Sequence, residues 1–291
     1  MYKFHYLKYL VIILKYHLGR CRLPQLSDGH RTASRFFTPV NASSYDSVVR
    51  IATFGNDYLW KRNILKIIEK HESASLSLYS SSSLPSSSHI SYTYLDLACG
   101  TGILSSSLKC RHGRLVQGTG GVRHQEEIVV KNKNIIGLDL AFDYLRIANK
   151  KGRSTGTELM LTNGTAELLP YRDESFECVM SSYLAKYIDV TKVVRECRRV
   201  LRHGGLLLFH DFTYPSNLLI RAFWNAYFHL LRVIANTMKS WASVFRELDQ
   251  LVKTSTWVSN TIKALEENDF EKINLRVCSM NTATIIWASK P

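Results

Sequence analysis

The fold is decided by Tyr94-Leu95-Asp96-Leu97-Ala98-Cys99-Gly100-Thr101-Gly102, an apolar run that ends in two glycines and leads directly into a helical pattern from Ile103. Glycine lets the backbone turn sharply and approach a ligand closely. The helix that follows such a turn presents backbone N–H groups that have no partner within the helix. The segment therefore predicts a small-molecule site between the first strand of a sheet and the next helix.

An acid separates this turn from the turns that bind dinucleotides. The third glycine of the dinucleotide fingerprint is absent, and Asp96 lies four residues before Gly100. A carboxylate at that position would repel a pyrophosphate and attract an ammonium group. The alternative interpretation is that Asp96 is a turn or cap residue.

A second acid follows the next strand. The run Ile136-Gly137-Leu138-Asp139 places a carboxylate at the carboxyl end of the strand, where it can accept hydrogen bonds from both hydroxyls of a ribose. Asp139 could instead cap the following helix. A ligand with ribose hydroxyls on one side, an ammonium group on the other and no phosphate points to S-adenosylmethionine as the cofactor.

Short apolar runs alternate with helical patterns beyond residue 91, which is typical of a parallel sheet covered by helices. The pattern predicts an α/β fold with a seven-stranded, mostly parallel, doubly wound (Rossmann-like) sheet and an antiparallel edge strand. The strands are expected at 92–97, 134–138, 159–161, 178–181, 206–212, 272–277 and 283–288. Crossover helices are expected at 103–109, 142–150, 190–201 and 259–268, with a longer helical cover at 216–252 between the fifth and sixth strands.

The composition is that of a folded protein with excess positive charge. Of 291 residues, 45% are hydrophobic and 21% charged, which excludes a disordered or fibrous chain. The formal net charge of +14 favours contact with an anionic partner. The six cysteines form no C-x-x-C pair, so we expect no metal site, no disulfide framework and a cytoplasmic location.

The chain is predicted to consist of an extension at 1–40 and a main domain at 41–291. The extension has seven Lys or Arg and one acid, and its apolar run 9–14 is far shorter than the roughly 20 residues that span a membrane. This is typical of attachment to an anionic membrane surface or of a loosely ordered terminus. Serine fills eleven of the nineteen positions in 73–91, which predicts a flexible linker. An insertion is expected near 111–133, because Gly102 and Asp139 are further apart than the roughly 20 residues usual between such elements.

Further motifs lie on both sides of the glycine turn. Tyr45-Asp46, Phe54-Gly55 and Trp60-Lys61-Arg62 precede it, and residues 163–171, 199–205 and Asp211-Phe212-Thr213 follow it. With these motifs, residues 92–290 resemble the class I S-adenosylmethionine-dependent methyltransferases. The paired ends, Tyr-Asp with Trp-Lys-Arg and Asp-Phe-Thr, resemble those of the ubiquinone/menaquinone-biosynthesis C-methyltransferase family.

The resemblance implies methyl transfer from S-adenosylmethionine to a ring carbon of a demethylated quinol. Thr165 stands where the family often has an Asp, and its hydroxyl can still accept a hydrogen bond from adenine. The acceptor side departs further, because the family's Asn and His fall at Val49 and Asp57 and its Arg-Asn falls at Ala185-Lys186. The implied cofactor contacts are Asp96, Ala98, Cys99, Gly100, Thr101, Gly102, Asp139, Leu140, Thr165, Ala166 and Ser181.

A ring carbon needs carbanion character to attack a methyl group, and a base or hydrogen-bond acceptor near the ring hydroxyl promotes it. Ligands of such folds lie outside the carboxyl ends of the strands. That edge holds the catalytic candidates Tyr183, Lys186 and Asp211, and also Tyr187 and His210. For His210 we favour packing within the sheet, because neighbouring strand residues point to opposite faces.

The expected partner is a quinol with an isoprenoid tail, which the apolar run 218–231 is suited to cover. This run and residues 6–14 either face the inner side of a membrane, making the protein peripheral, or 218–231 packs as a lid on the sheet. A homodimer is left open. The alternative functions are methylation of another small molecule or a lipid and, less readily, of RNA, because no Asn-Pro-Pro-Tyr tetrapeptide follows the fourth strand.

Overall fold

Seven strands form one sheet in the computed structural model, which describes residues 28–80, 90–110 and 130–291. The strands are β1 Ile90–Leu97, β2 Val130–Asp139, β3 Met160–Asn163, β4 Phe176–Ser182, β5 Leu201–Phe212, β6 Glu271–Cys278 and β7 Ala283–Ser289. The helices are α1 Asp28–Phe36, α2 Pro39–Ala42, α3 Tyr45–Ala52, α4 Asn56–Ser80, α5 Ile103–Lys109, α6 Phe142–Thr155, α7 Val190–Val200, α8 Leu218–Ile234, α9 Ala242–Thr254 and α10 Trp257–Glu267. Single 3-10 turns lie at Ala185–Tyr187, Lys239–Trp241 and Ser279–Asn281.

The strand order is β3-β2-β1-β4-β5-β7-β6, and β1 to β5 are all parallel. Strands β2 and β3 are added on one side of β1, and β4 and β5 on the other. Strand β7 runs antiparallel to both β5 and β6. The predicted sheet is confirmed, with the antiparallel strand one place inside the edge. The sequence of β7 fits that place, because a strand covered on both faces reads as a continuous apolar run.

Side chains of β1 alternate between the two faces of the sheet, as the period of a strand requires. Leu95 and Leu97 pack on the face covered by α7 and α10. Tyr92 and Tyr94 pack on the opposite face, which α4 and α5 cover. Each fully buried leucine stabilises the fold by about 1.5–3 kcal/mol.

Helix α4 extends into the tract predicted as a linker, so residues 73–80 are helical. The hydroxyls of Ser73 and Ser75 donate to the carbonyls of Glu69 and His71, one turn back, which lets serine stay in a helix. Residues 90 and 91 of the tract belong to β1, and 81–89 lie outside the described residues.

Residues 130–133 of the predicted insertion belong to β2, and 111–129 lie outside the described residues. Lys133 explains why this polar segment enters the sheet. Its ammonium group donates to the two carboxylate oxygens of Glu72 at 2.9 and 3.0 Å, and the Tyr94 hydroxyl donates to the same carboxylate at 2.5 Å. A buried lysine is tolerated when it is paired in this way.

The helical cover predicted at 216–252 consists of two helices, α8 and α9, joined through a 3-10 turn. Trp224 and Phe228 of α8 pack with Trp241 and Phe245 in a third apolar cluster. Helix α1, which falls within the predicted extension at 1–40, packs in the same cluster through Phe36, which is 0% exposed. Residues 1–27 lie outside the described residues. Within the ranges that the structure describes, no helix combines the length and the apolar character needed to cross a bilayer.

Candidate active site

The turn between β1 and α5 has the backbone form that its glycines predict. Gly100 and Gly102 have φ values of +54° and +77°, and Ala98 shares the left-handed region at +56°. At Gly102 a Cβ atom would lie 3.1 Å from the Leu159 side chain, so both conformation and space favour glycine there. At these two positions no side chain stands between a ligand and the backbone at the carboxyl end of β1.

Asp139 joins the end of β2 to this turn. Its Oδ2 accepts the Gly100 N–H at 2.7 Å and its Oδ1 accepts the Ala141 N–H at 2.7 Å. Ala141, not Asp139, is the cap residue of α6. Burial raises the pKa of Asp139, while N–H donors from Ala141 and Gly100 oppose that rise. Each carboxylate oxygen keeps a lone pair that can accept a hydroxyl from a ligand.

A cavity, here called the donor cavity, opens above this edge. Helix α1 closes part of it through His30, Ala33 and Ser34. Among its described lining residues there is no lysine or arginine, which suits a cationic ligand better than a phosphate. Six of the predicted cofactor contacts line the cavity, namely Ala98, Gly100, Asp139, Leu140, Thr165 and Ala166.

The other five predicted contacts, Asp96, Cys99, Thr101, Gly102 and Ser181, are not among the residues that line the cavity. Asp96 is 1% exposed and accepts the Ser105 hydroxyl at 2.5 Å, and its burial raises its pKa to about 7. The Ser181 hydroxyl donates to the Leu97 carbonyl at 2.8 Å. These two hydrogen bonds hold β1, which precedes the glycine turn, to α5 and to β4.

Two side chains at the donor cavity escaped the sequence analysis. The imidazole Nε2 of His30 lies 2.7 Å from a carboxylate oxygen of Glu167, and the other oxygen of Glu167 accepts the Thr165 hydroxyl. The bond ties α1 to the loop after β3. Glu167 lies two residues after Thr165, a proximity that marks it as a candidate, whereas no local signal points to His30, which is 137 residues away from Glu167.

A second cavity, here called the acceptor cavity, lies beside the first and encloses about 340 Å³. Its lining is mostly aromatic and aliphatic and includes residues of α3, α8 and α9. Large apolar cavities with few polar groups are typical of sites that bind hydrophobic small molecules. The two cavities share one stretch of wall, here called the aromatic wall, formed by Phe37, Tyr45, Tyr183 and Tyr187.

Lys186 brings a charge to the acceptor cavity. Its ammonium group donates to Asp211 Oδ1 at 2.6 Å and to the Tyr183 carbonyl at 3.1 Å, and it lies 4.5 Å from the centre of the Tyr187 ring. The side chains of Lys186 and Asp211 are 2% and 0% exposed. Burial lowers the pKa of Lys186, and Asp211 opposes that change. Of this pair, only Lys186 lines the cavity.

Tyr183 lines both cavities and has a strained backbone, with φ at +69°. Its hydroxyl donates to Asp57 Oδ1 at 2.6 Å, and Lys61 donates to the same oxygen. Burial, followed by the charge of Asp57, raises the pKa of Tyr183 well above its ordinary value. The position of Tyr183 after β4 marks it as a candidate, whereas no motif assigns a role to Asp57.

His210 is packed within the sheet, as expected, and is 1% exposed. Its Nδ1 lies 2.8 Å from the Ser182 hydroxyl, and its ring contacts those of Trp60 and Tyr183. Burial lowers its pKa well below the ordinary value, so the imidazole is neutral. His210 is not among the described residues that line either cavity.

The sequence model of the ubiE/COQ5 methyltransferase family matches residues 28–288. The chain belongs to this family. It is therefore a methyltransferase that uses S-adenosylmethionine, as the glycine turn and Asp139 predict. The match to the family model begins at Asp28, the first residue of α1, so the helix over the donor cavity is part of the family pattern.

Curated members of the family align over most of the chain. A ubiquinone/menaquinone biosynthesis C-methyltransferase of Blochmanniella floridana is 27% identical over 89% of this chain and 90% of its own length. A demethylmenaquinone methyltransferase of Lactobacillus johnsonii is 27% identical over 66% of this chain and 72% of its own length.

Solved structures support the fold. An S-adenosyl-L-methionine-dependent methyltransferase of Methanococcus maripaludis has a TM-score of 0.54 at 16% identity, covering 87% of this chain and 94% of its own. A methyltransferase of Thermotoga maritima has a TM-score of 0.51 at 17% identity, covering 87% and 97%. At this identity the likeness concerns the fold alone.

Proposed function

We propose that this methyltransferase transfers the methyl group of S-adenosylmethionine to a ring carbon of a demethylated quinol that has an apolar tail. The observation that carries the proposal is the pair of cavities with one aromatic wall between them. One cavity is lined by Asp139 and Glu167 and, among its described residues, by no lysine or arginine, and the other is mostly apolar. The names of the Blochmanniella and Lactobacillus relatives, which specify quinone biosynthesis and demethylmenaquinone, support the same substrate class.

On the donor side, Asp139 would accept the ribose hydroxyls, and Leu140 and Ala166 would pack against the adenine. Thr165 would meet the edge of the adenine, while Asp96, Cys99, Thr101, Gly102 and Ser181 hold the turn that faces the amino-acid end. S-adenosylmethionine supplies a methyl group on a positively charged sulfonium. Tyr45 and Tyr144, whose ring centres are 5.3 Å apart, offer aromatic groups to that charge.

On the acceptor side, we propose that Tyr183 and Lys186 contact the quinol ring and that Asp211 positions Lys186. The Lys186 ammonium group has three N–H donors, two of which are bonded to Asp211 and to the Tyr183 carbonyl. The third can donate to a ring oxygen and stabilise negative charge there, which makes the ring carbon a better nucleophile. The acceptor cavity holds the first part of the tail and keeps water from the reacting atoms.

The mouth of the acceptor cavity supports a peripheral position on the inner face of a membrane. Phe54, Phe223 and Met280 line the cavity and are 78%, 74% and 72% exposed. Exposed apolar residues that rim an apolar cavity mark a surface for lipid or protein contact. The basic residues of the extension 1–40 would add attraction to anionic lipids.

Vesicle sedimentation tests the membrane part of the proposal. We expect Phe223→Glu with Phe54→Glu to lower binding to anionic vesicles, because two charges then face the bilayer. Leu275→Glu, at a 44% exposed apolar position on β6, is the matched control and should bind as the wild type does. Equal binding of all three proteins would defeat this part.

Product analysis with labelled S-adenosylmethionine tests the reaction itself. Demethylated quinols with and without isoprenoid tails, a phospholipid and an RNA would be offered to the purified protein. We expect label on the carbon skeleton of a tailed quinol and far less on a tail-free one, because the apolar cavity then stays unfilled. Label on the lipid or the RNA, or on none of the quinols while the donor still binds, would refute the proposed substrate class.

A further inference from the structure

We infer that Asp57 takes the proton of the acceptor's ring hydroxyl through the phenol group of Tyr183, an inference that rests on the proposed function. Tyr183 lines the acceptor cavity, whereas Asp57 is 7% exposed and does not line either cavity. The Tyr183 hydroxyl donates to Asp57 at 2.6 Å. A proton from the cavity can therefore reach Asp57 by way of Tyr183.

The surroundings of Tyr183 hold it in this position. A tyrosine rarely adopts a φ of +69°, so its contacts must maintain the conformation. Its ring stacks on Phe212 with centres 4.9 Å apart, and its hydroxyl is fixed by Asp57. Lys61 donates to the same Asp57 oxygen and holds the carboxylate in place. A relay needs such fixed geometry, because proton transfer requires donor and acceptor within hydrogen-bond distance.

The neighbouring titratable groups are less suited to accept the proton. Burial and Asp57 raise the pKa of Tyr183, so the phenol keeps a proton and passes one on rather than acting as a free base. His210 is bonded to Ser182 and lies outside the lining of both cavities. Lys186 is held by Asp211. Asp57 is thus the acceptor that the described geometry connects to the cavity.

Asp57, the end of the proposed relay, stands at a position where this chain differs from the family pattern. By the resemblance stated above, the family's His falls at Asp57 and its Arg-Asn falls at Ala185-Lys186. Asp57 and Tyr183 are 126 residues apart in sequence and meet only in the fold. Two of the positions that differ from the family pattern therefore meet at Tyr183. Asp57 accepts its hydroxyl, and the Lys186 ammonium group lies 5.6 Å from the centre of its ring.

The proton balance of the step is simple. The acceptor's O–H bond breaks as its proton bonds to the Tyr183 oxygen, and the proton of Tyr183 moves to Asp57. The electron pair left on the ring oxygen drives a bond between the ring carbon and the methyl group, while the methyl–sulfur bond breaks and its pair stays on sulfur. The ring carbon then loses its hydrogen as a proton to water, and the proton on Asp57 returns through Tyr183 to the ring oxygen.

The first test compares Asp57→Asn and Tyr183→Phe with matched controls. Asp269→Asn removes a carboxylate whose side chain is 80% exposed, and Tyr58→Phe removes a hydroxyl from a 68% exposed residue of α4. We expect kcat to fall about 100-fold in both relay variants, the usual effect of one general base, with an unchanged Kd for S-adenosylmethionine. Both controls should keep the wild-type rate.

The acidity of the acceptor separates a relay from a structural role. Halogenated quinols ionise more readily, so we expect the deficit of both variants to shrink as the acceptor becomes more acidic. A deficit that is the same for every acceptor would overturn the relay. Asp57→Asn removes the negative charge that pairs with Lys61, which destabilises the fold. Tyr183→Phe keeps that pair and the aromatic ring, so its rate, together with an unchanged unfolding midpoint, tests the relay in an intact protein.

A second readout needs no turnover and separates this inference from the proposed function. A nitrophenol with an apolar tail changes colour on ionisation, and transfer of its proton through Tyr183 to Asp57 predicts, on binding to the wild type, a colour shift toward the ionised form at a pH below the pKa of the free dye. Asp57→Asn and Tyr183→Phe should abolish that shift, and equal shifts in all three proteins would overturn the relay. The charged and titratable groups around Asp57 and Tyr183 are Lys61, Tyr45, Lys186, Asp211 and His210. Failure of quinol methylation with the colour shift intact would refute the substrate and leave the relay supported.

Discussion

Replacing Asp139 by alanine measures what the end of β2 contributes to donor binding. In the structure each carboxylate oxygen already accepts one backbone N–H at 2.7 Å, which fixes the carboxylate where it lines the donor cavity. Two ribose hydroxyls would then donate to a fixed, charged acceptor. Hydrogen bonds to charged groups contribute about 1.5–3 kcal/mol each, so their loss costs about 3–6 kcal/mol. At about 1.4 kcal/mol per tenfold, Kd should rise by roughly 10² to 10⁴.

Calorimetry with S-adenosylmethionine and S-adenosylhomocysteine is the assay, since both share the ribose. Asp143→Asn is the matched control, because this acid lies four residues on, at the start of α6, and its side chain is 37% exposed. Asp139→Asn should fall between the wild type and the alanine variant, as one oxygen remains. Burial raises the pKa of Asp139, so donor affinity should also decline on acidification sooner than for an exposed aspartate. A Kd for Asp139→Ala within about threefold of the wild type, less than one weak hydrogen bond, would refute the assignment.

Three further variants test the turn and its neighbour. Burial raises the pKa of Asp96 from 3.8 to about 7, so the free energy of unfolding should fall as pH rises between these two values. At about 1.36 kcal/mol per pKa unit the loss is about 4 kcal/mol. Asp96→Asn should remove this loss in urea unfolding measured across the same pH range. A flat wild-type pH profile would contradict this. Gly102→Ala should lower the free energy of unfolding by more than about 1 kcal/mol, because its φ is +77° and its Cβ would press on Leu159, and thermal unfolding measures it. Tyr183→Gly relieves about 1–3 kcal/mol of backbone strain but loses about 3–5 kcal/mol of ring burial, so urea unfolding should show a net loss rather than a gain.

The parts of this protein that local sequence encodes were predictable. Strands β1, β4, β5 and β7 contain a short apolar run, as does the second half of β2, and the glycine turn and Asp139 directly follow two of these runs, so the donor edge of the sheet could be located without the structure. A parallel sheet places the carboxyl ends of β1 and β2 together, which is why the bond between Gly100 and Asp139 follows from the topology.

The parts that depend on distant pairing were not predictable. Nothing local in α1 indicates that it covers the donor cavity, because that position depends on the contact between His30 and Glu167. Serine content predicted a linker where α4 continues, since the side chains bond back to the helix carbonyls. Asp57 carries no motif of its own, and its meaning comes from Tyr183, which reaches it by a backbone conformation that sequence patterns do not report.

The aromatic wall has a consequence for the order of events during turnover. In the proposed arrangement each reactant has its own cavity, and among the described residues four side chains line both. Neither ligand has to leave before the other can exchange, so we expect a sequential rate law without a compulsory order of addition. Under the proposed function the spent donor can then be replaced while the product is still in its own cavity, so the exchange of the water-soluble reactant does not wait for that of the apolar one.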